Sequence, residues 1–439
     1  MTGAILVASS SVTWAQEDVG VVEDGPTLEA LDQRERILER KLELQSEAAA
    51  ERAKAAPAFG IGPNGLTART ADGSFSVRVH GLLQLDGRTF FSAALPSNLE
   101  VRRARPILDA TFLQLVDVRV MPEFGEGRAQ LFDAYADLHP VTWLRLRAGK
   151  FKPPLGFERQ QTDANRLFLE FSAPSNLLAT RDVGVQLWGE LGDGLFTYAL
   201  GVFDGVPDSG NGDVDLTDGK DVAVQLTAQP FKRTGVPVLQ GVGLGIGASY
   251  GSQKGTAAAP NLAVYRSPGT QAEFSFVADA VAAGDHSRVV PHLRLLAGPL
   301  EVLAEYAYSQ QLVARGSDTV VSANHAFVIQ AGWVVTGEAA TFDGLVPAHD
   351  LAPGDGRFGA VELGLRYEEL HINGATFAGF ADPTKSASAT RSAGAVVHWA
   401  LTQSVRSSVS FERTWFEGGA PGGNRAPESA LFARLQANF

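Results

Sequence analysis

The chain is 439 residues long, with no cysteine, 47 glycines and a formal net charge of −12. That composition excludes a disulfide framework and a thiolate metal site, and the acidic balance disfavours a nucleic-acid partner, which needs a basic surface. No apolar run approaches the roughly eighteen residues of a transmembrane helix, but strands that alternate lipid-facing and water-facing side chains average to the same bland hydropathy.

Residues 1–15 hold a short apolar stretch at 4–8, then small residues and a cleavage-like Ala15. They read as the remnant of a secretory signal peptide lacking its basic start, and they predict export. Residues 16–56 form a helical segment that carries six Lys/Arg against eleven Asp/Glu. Leu28, Leu31, Leu38 and Leu42 fall at coiled-coil spacing, interrupted by Glu35, Gln45 and Arg52. A short coiled coil that assists oligomerisation and a solvated single helix both fit that pattern. Residues 57–73 open on Pro57, Gly60, Gly62 and Pro63 and read as a linker.

From residue 74 to 439 the helical period gives way to alternation in twos. Phe75, Val77, Val79, Leu83 and Leu85 share one face of the first strand; Ser76, Arg78, His80, Gln84, Asp86 and Arg88 share the other, with Leu82 as an apolar exception. A second strand over 103–120 sets Leu108, Ala110, Phe112, Val116, Val118 and Val120 against Arg103, Arg105, Asp109, Thr111, Asp117 and Arg119. A third sets Phe132, Ala134, Ala136 and Leu138 against Asp133, Tyr135 and Asp137, and a fourth sets Leu144, Leu146 and Ala148 against Arg145 and Arg147. Pro153 and Pro154 then stop the alternation and begin a loop of some thirty residues to Asp182, carrying Lys152, Arg159, Asp163, Arg166, Glu170 and Arg181.

Twelve further segments follow: 183–191, 195–204, 222–231, 242–250, 273–282, 292–297, 300–311, 326–336, 358–372, 392–402, 405–416 and 430–439. With the first four they make sixteen, an even number that suits a bacterial membrane barrel. Turns alternate between tight ones, at 192–194 and 298–299, and long polar ones, at 205–221 and 339–356, predicting short turns on one rim and long loops on the other. Strand candidates of ten or more residues suit a tilted crossing of hydrocarbon better than a soluble sandwich. Phe90, Phe91, Trp143, Trp415 and Phe416 sit near strand ends, where an interfacial girdle places aromatics.

Three other readings fit parts of the pattern. A soluble surface or adhesion β protein has the same alternation but shorter strands. An outer-membrane esterase or lipase barrel needs a Ser–His pair on its outer wall, for which His398 near Ser392 or Ser404 is the candidate, without a nucleophile elbow. Asn211, Asp213, Asp215 and Asp218 have calcium-loop-like spacing but lack the closing glutamate, so no metal site and no cofactor are expected.

The stretches GSFSVRVHGLLQLDGRTFF at 73–91, VRRAR at 101–105, LFDAYADL at 131–138, LRAGKFKPPLGFE at 146–158, VVTGEAATFDGLVP at 334–347 and LFARLQANF at 431–439 resemble the phosphate-selective porin O/P family of Gram-negative outer membranes. The resemblance implies an all-β, 16-stranded antiparallel transmembrane barrel, usually a homotrimer embedded in outer-membrane lipid, with the loop after the fourth strand folded inward as a constriction. It implies a passive channel for small anions and other solutes. It places the constriction arginines at Arg102 and Arg103, their facing aspartate at Asp133 and a basic loop residue at Arg159. Arg78, Arg105, Arg145 and Arg147 join these as expected pore-lining residues by strand parity.

Arg102 and Arg103 have opposite parity, so both face a pore only through a bulge. Leu82 and Phe171 stand where two arginines of the family's ladder are expected, and 309–321 offers only Arg315 where the family has lysines. The resemblance therefore implies an anion bias with weakened phosphate capture. Net acidity does not oppose this, because a few guanidinium groups in a narrow, low-dielectric pore outweigh acids on wet outer loops.

Overall fold

The computed structural model describes residues 27–63, 65–91, 95–213 and 218–439; the signal-peptide reading of 1–15 lies outside them. Two units are present, divided after Ala56. In the first, helix α1 spans Leu28–Ala55. Leu38 and Leu42 on it are 59% and 65% exposed, and Asp32–Arg36 and Arg40–Glu43 pairs lie along its surface at 2.7 and 2.8 Å.

The second unit is a closed barrel. Its strands are β1 (Phe75–Phe90), β2 (Asn98–Phe112), β3 (Val116–Glu123), β4 (Gln130–Val141), β5 (Leu144–Phe151), β6 (Asp182–Leu191), β7 (Phe196–Phe203) and β8 (Asp221–Ala228). They continue with β9 (Gly243–Lys254), β10 (Val281–Ala297), β11 (Leu300–Arg315), β12 (Asp318–Val334), β13 (Ala360–His371), β14 (Ala387–Ala400), β15 (Val405–Ala420) and β16 (Glu428–Asn438). Each pairs antiparallel with the next, and β16 returns to β1 from Ala430↔Phe90 to Asn438↔Leu82, so the wall of sixteen strands is closed. The predicted faces hold: Val77, Val79, Leu146, Val185 and Leu200 are exposed on the outside, while Arg103, Arg105, Gln186, Arg366 and Arg434 are buried within. Lipid selects the first set and an aqueous lumen the second.

Sixteen strands is the predicted number, reached by different boundaries. Residues 103–120 are two strands, β2 and β3, joined by a tight turn in which Leu113 and Gln114 take left-handed φ of 56° and 53°. Even-numbered residues face outward on both sides of this turn, so the alternation runs through it and hides it. In compensation, 273–282 and 292–297 are not two barrel strands. Residues 281–297 are all β10, and Ala272–Ser275 pairs with Val264–Arg266 in a small hairpin of the loop before it. The long central loop therefore follows the fifth strand, not the fourth. The linker reading of 57–73 is also corrected: Ala58–Gly62 and Gly65–Arg69 form a hairpin that pairs with the start of β1, Leu66 opposite Val79.

The turns need a further correction. The stretch 339–356 connects β12 to β13 and so shares its rim with the tight turns at 192–194 and 298–299. It is long because it enters the lumen: Phe342 is buried, packs edge-on against Phe157 at 4.9 Å, and its carbonyl accepts from Gln161.

The loop 152–181 is bound to the inner wall by apolar packing. Leu155, Leu177 and Leu178 are fully buried against Val290, Ala307, Ala326 and Leu370, and Leu167 and Phe168 against Val396, Ala430 and Phe432. Each such side chain contributes about 1.5–3 kcal/mol. Gly156 makes the descent to the wall possible, since at φ +70° a Cβ there would stand 2.7 Å from Leu178 and 3.1 Å from Glu305. This loop narrows the bore from within.

Candidate functional site: the charged throat

The throat begins with an irregularity of β2. Gln84 pairs with Arg103 but Leu85 pairs with Val101, leaving Arg102 as the extra residue of a bulge. Both arginines thereby turn inward, which regular alternation forbids. Arg102 grips Glu170 of the loop with two parallel bonds of 2.8 Å, from Nε and Nη2, and also donates to Glu126. Arg103, 3% exposed, donates to Gln84 Oε1 at 2.7 Å and lies 3.2 Å from Asp163 Oδ1.

Glu170 and Asp163 are the acids the throat is built around. Glu170 also accepts from Arg88 at 3.1 Å and Arg434 at 3.0 Å; Asp163 accepts from Arg105 and, at 3.1 Å, from Arg166. Arg434 on β16 holds Asp86 on β1 with both branches at 2.7 and 2.8 Å. Burial pushes both loop carboxyls up, but Arg103, Arg105 and Arg166 outweigh it at Asp163, and Arg102 with Arg103 and Arg88 at Glu170. Both stay well below the usual carboxylate range. The charge-assisted forks fix the loop's position as well as its charge.

On the long-loop side of this cluster is a cavity of about 460 Å³ lined by Arg102, Arg159, Glu170 and Phe171. Burial pulls Arg159 down to about 10; it donates to the Ser175 carbonyl and stacks on Phe171 at 4.1 Å. On the short-turn side is a cavity of about 330 Å³, and here lie Arg78, Arg105, Asp133 and Arg147. Arg78 is 2.6 Å from Asp109, and Arg147 is held by Asp137 at 2.5 and 3.0 Å. Arg145 faces inward nearby, stacked on Trp188 at 4.6 Å.

The expected partnership of Arg102 and Arg103 with Asp133 is not what forms. Asp133 accepts from Arg181 at 2.9 Å, and the strand arginines meet Glu170 and Asp163, because the inward loop supplies its own acids. Sequence reasoning did not select Arg88, Arg434, Arg166 or Lys152 for the site. Arg88 has lumen parity on a recognised strand and Arg434 sits in the recognised closing segment, so parity held the signal for both.

His398 does not face lipid. It is buried on the lumen side, 2.7 Å from Ser408 Oγ and 2.5 Å from the Leu167 carbonyl, and Ser392 bonds Thr414 instead. The outer-wall Ser–His pair required by the lipase reading is thus not assembled there. Among the described residues no group of three or more His, Asp or Glu is placed to hold a metal. Asp213 is taken by Lys150 and Asn211 donates to Gln130 at 3.1 Å; Asp215 lies outside the described residues.

Solved outer-membrane proteins share this architecture. The channel DcaP of Acinetobacter baumannii matches with a TM-score of 0.54 at 9% identity, over 83% of this chain and 98% of that one. A loop-deletion mutant of OmpT from Vibrio cholerae matches at 0.50 and 11%, over 83% and 100%. OprB of Pseudomonas putida matches at 0.50 and 11%, over 84% and 95%. At these identities the likeness shows the fold alone. No curated protein matches the chain at a significant level. The family model for phosphate-selective porins O and P matches residues 97–410, most of the barrel with its inward loop, and the chain belongs to that family of Gram-negative outer-membrane porins.

Proposed function

We propose that this porin is a passive, anion-leaning diffusion channel, with Arg102, Arg103 and the loop 152–181 as its throat. The observation that carries the reading is the convergence of Arg88, Arg102, Arg103, Arg105, Arg166 and Arg434 on two loop carboxylates, with a surplus cation on either side. Arg159 in the outer cavity and Lys152 in the inner one bond backbone carbonyls and, among the described residues, have no carboxylate at ion-pair distance. Asp86, Glu123 and Glu126 neutralise much of the rest, so the fixed field is modest. Low-dielectric walls focus such a field along the bore, and a small surplus biases passage toward anions without holding them tightly.

Arg78, Arg145 and Arg147 extend the positive lining toward the short-turn rim, and Asp133 fixes Arg181 within it. The homotrimer implied by the family resemblance is part of the same proposal; the exposed small side chains of Ala136 and Ala148, paired across adjacent strands, suit close packing of protomers. Purified protein in planar bilayers should give stepwise conductance and, in a potassium chloride gradient, a reversal potential displaced toward chloride. Displacement toward potassium defeats the anion reading and leaves the barrel standing.

A further inference from the structure

The inner cavity departs from a simple phosphate path in its walls. Leu82 on β1, Ile107 on β2 and Met121 on β3 occupy lumen-facing positions on three adjacent strands, and all three line it. Lumen faces of membrane barrels are ordinarily polar, so a contiguous apolar patch there calls for an explanation. Leu82 also stands where the family's arginine ladder leads one to expect a guanidinium. Phe171, at the other such position, lines the outer cavity with the guanidinium groups of Arg159 at 4.1 Å and Arg166 at 3.7 Å from its ring. Both departures from the ladder therefore fall in the two cavities that flank the throat, and each adds apolar surface.

The donors of the inner cavity are largely spent. Arg78 and Arg119 share Asp109, Arg147 is held by Asp137, Arg181 by Asp133, and Arg105 by Glu123 and Asp163. Inorganic phosphate, a small and strongly hydrated dianion, needs several free donors to replace its water shell. Among the described residues one cation of this cavity has no carboxylate at ion-pair distance: Lys152, whose Nζ donates to the Gln161 carbonyl at 2.6 Å. Burial, then Arg181, lowers its pKa well below the ordinary lysine value against the pull of Asp163 and Asp133, and an anion at its Nζ favours the charged form. One recruitable positive charge beside an apolar wall suits a monoanion with an apolar body. The volume of about 330 Å³ lies at the small end of the roughly 300–1,000 Å³ found for ligand pockets.

We propose that the inner cavity is a binding subsite for small organic monoanions of the arylcarboxylate class, with Lys152 meeting the carboxylate and Leu82, Ile107 and Met121 the apolar body. The proposal rests on the anion-leaning reading above and names the class of solute that reading favours.

Block of chloride current by benzoate, acetate and inorganic phosphate, added from the short-turn side of the full-length protein in planar bilayers, tests it. Benzoate should half-block at a concentration at least about tenfold below acetate or phosphate. Leu82→Ser should remove most of that advantage without adding charge, and Leu82→Arg should turn the preference toward phosphate; the heat-modifiable gel mobility of folded barrels shows that each variant is assembled. Should Leu82→Arg not assemble, Leu82→Ser and the wild-type comparison decide the matter. Phosphate blocking as well as benzoate in a chloride-preferring channel overturns this proposal alone, as does an unchanged benzoate block in Leu82→Ser. Potassium preference in the same bilayers overturns the parent reading and this one with it.

Discussion

Arg103 stands opposite Gln84 in the β1–β2 ladder and donates to its Oε1 at 2.7 Å, one residue past the bulge that turns Arg102 inward. The two arginines act as a unit because the bulge gives them one face, and each meets a different acid of the loop.

Replacing both with alanine should leave Glu170 and Asp163 short of cations and lower the chloride-to-potassium permeability ratio at least about threefold. Deleting Arg102 outright should be tolerated, since Gln84 and Leu85 already pair with Arg103 and Val101. The deleted protein should keep its heat-modifiable mobility while losing part of the anion preference. A permeability ratio unchanged in the double variant places the constriction elsewhere.

The two faces of β6 can be tested with the same substitution at adjacent residues. Val185 is half exposed on the outer wall and Gln186 is buried on the lumen side. Val185→Arg should cost about 2–4 kcal/mol if near the bilayer midplane, and Gln186→Arg far less. Urea unfolding in liposomes should separate them by that margin; equal stabilities contradict the assignment of faces.

Asp163 and Glu170 set a pH window. Both have folded-state pKa values depressed below their unfolded ones, so the anchoring they give the loop is complete above the ordinary carboxylate range and is lost only as pH falls through the depressed values. Loosening of the loop through these two carboxylates should set in only below about pH 4. Glu170→Gln should produce at neutral pH the noisy, enlarged conductance otherwise confined to stronger acid.

Lys152 gives the opposite sign. Its depressed pKa, set by burial and by Arg181 against Asp163, Asp133 and the more distant Arg105, means that a bound anion must raise it. Block by benzoate should weaken as pH rises while still below the ordinary lysine range, and Lys152→Gln should flatten that dependence. A wild-type block that strengthens with pH excludes Lys152 as the anion's partner.

The wall of this protein was legible in its sequence because a residue's side of a strand follows from parity alone. Parity alone gives Val77, Leu146 and Arg147 the faces they occupy. The same parity concealed the turn at Leu113 and Gln114, which preserves it. The throat was only half legible. Arg102 and Arg103 adjoin in sequence, and their parity conflict pointed to the bulge that the register shift contains. Arg88, Glu170 and Arg434 meet from three distant parts of the chain, and no local spacing encodes a contact that depends on barrel closure. The inward turn of Phe342 is hidden for a related reason: a polar connection of its length reads as an outer loop unless strand order fixes its rim.

The Arg434–Asp86 pair straddles the line where the last strand meets the first, and the same guanidinium reaches the loop at Glu170. The filter thus borrows one of its jaws from the strand at the far end of the sequence. An unzipped cylinder lacks the grip on its own plug, and sealing the wall and setting the sieve become a single event during assembly.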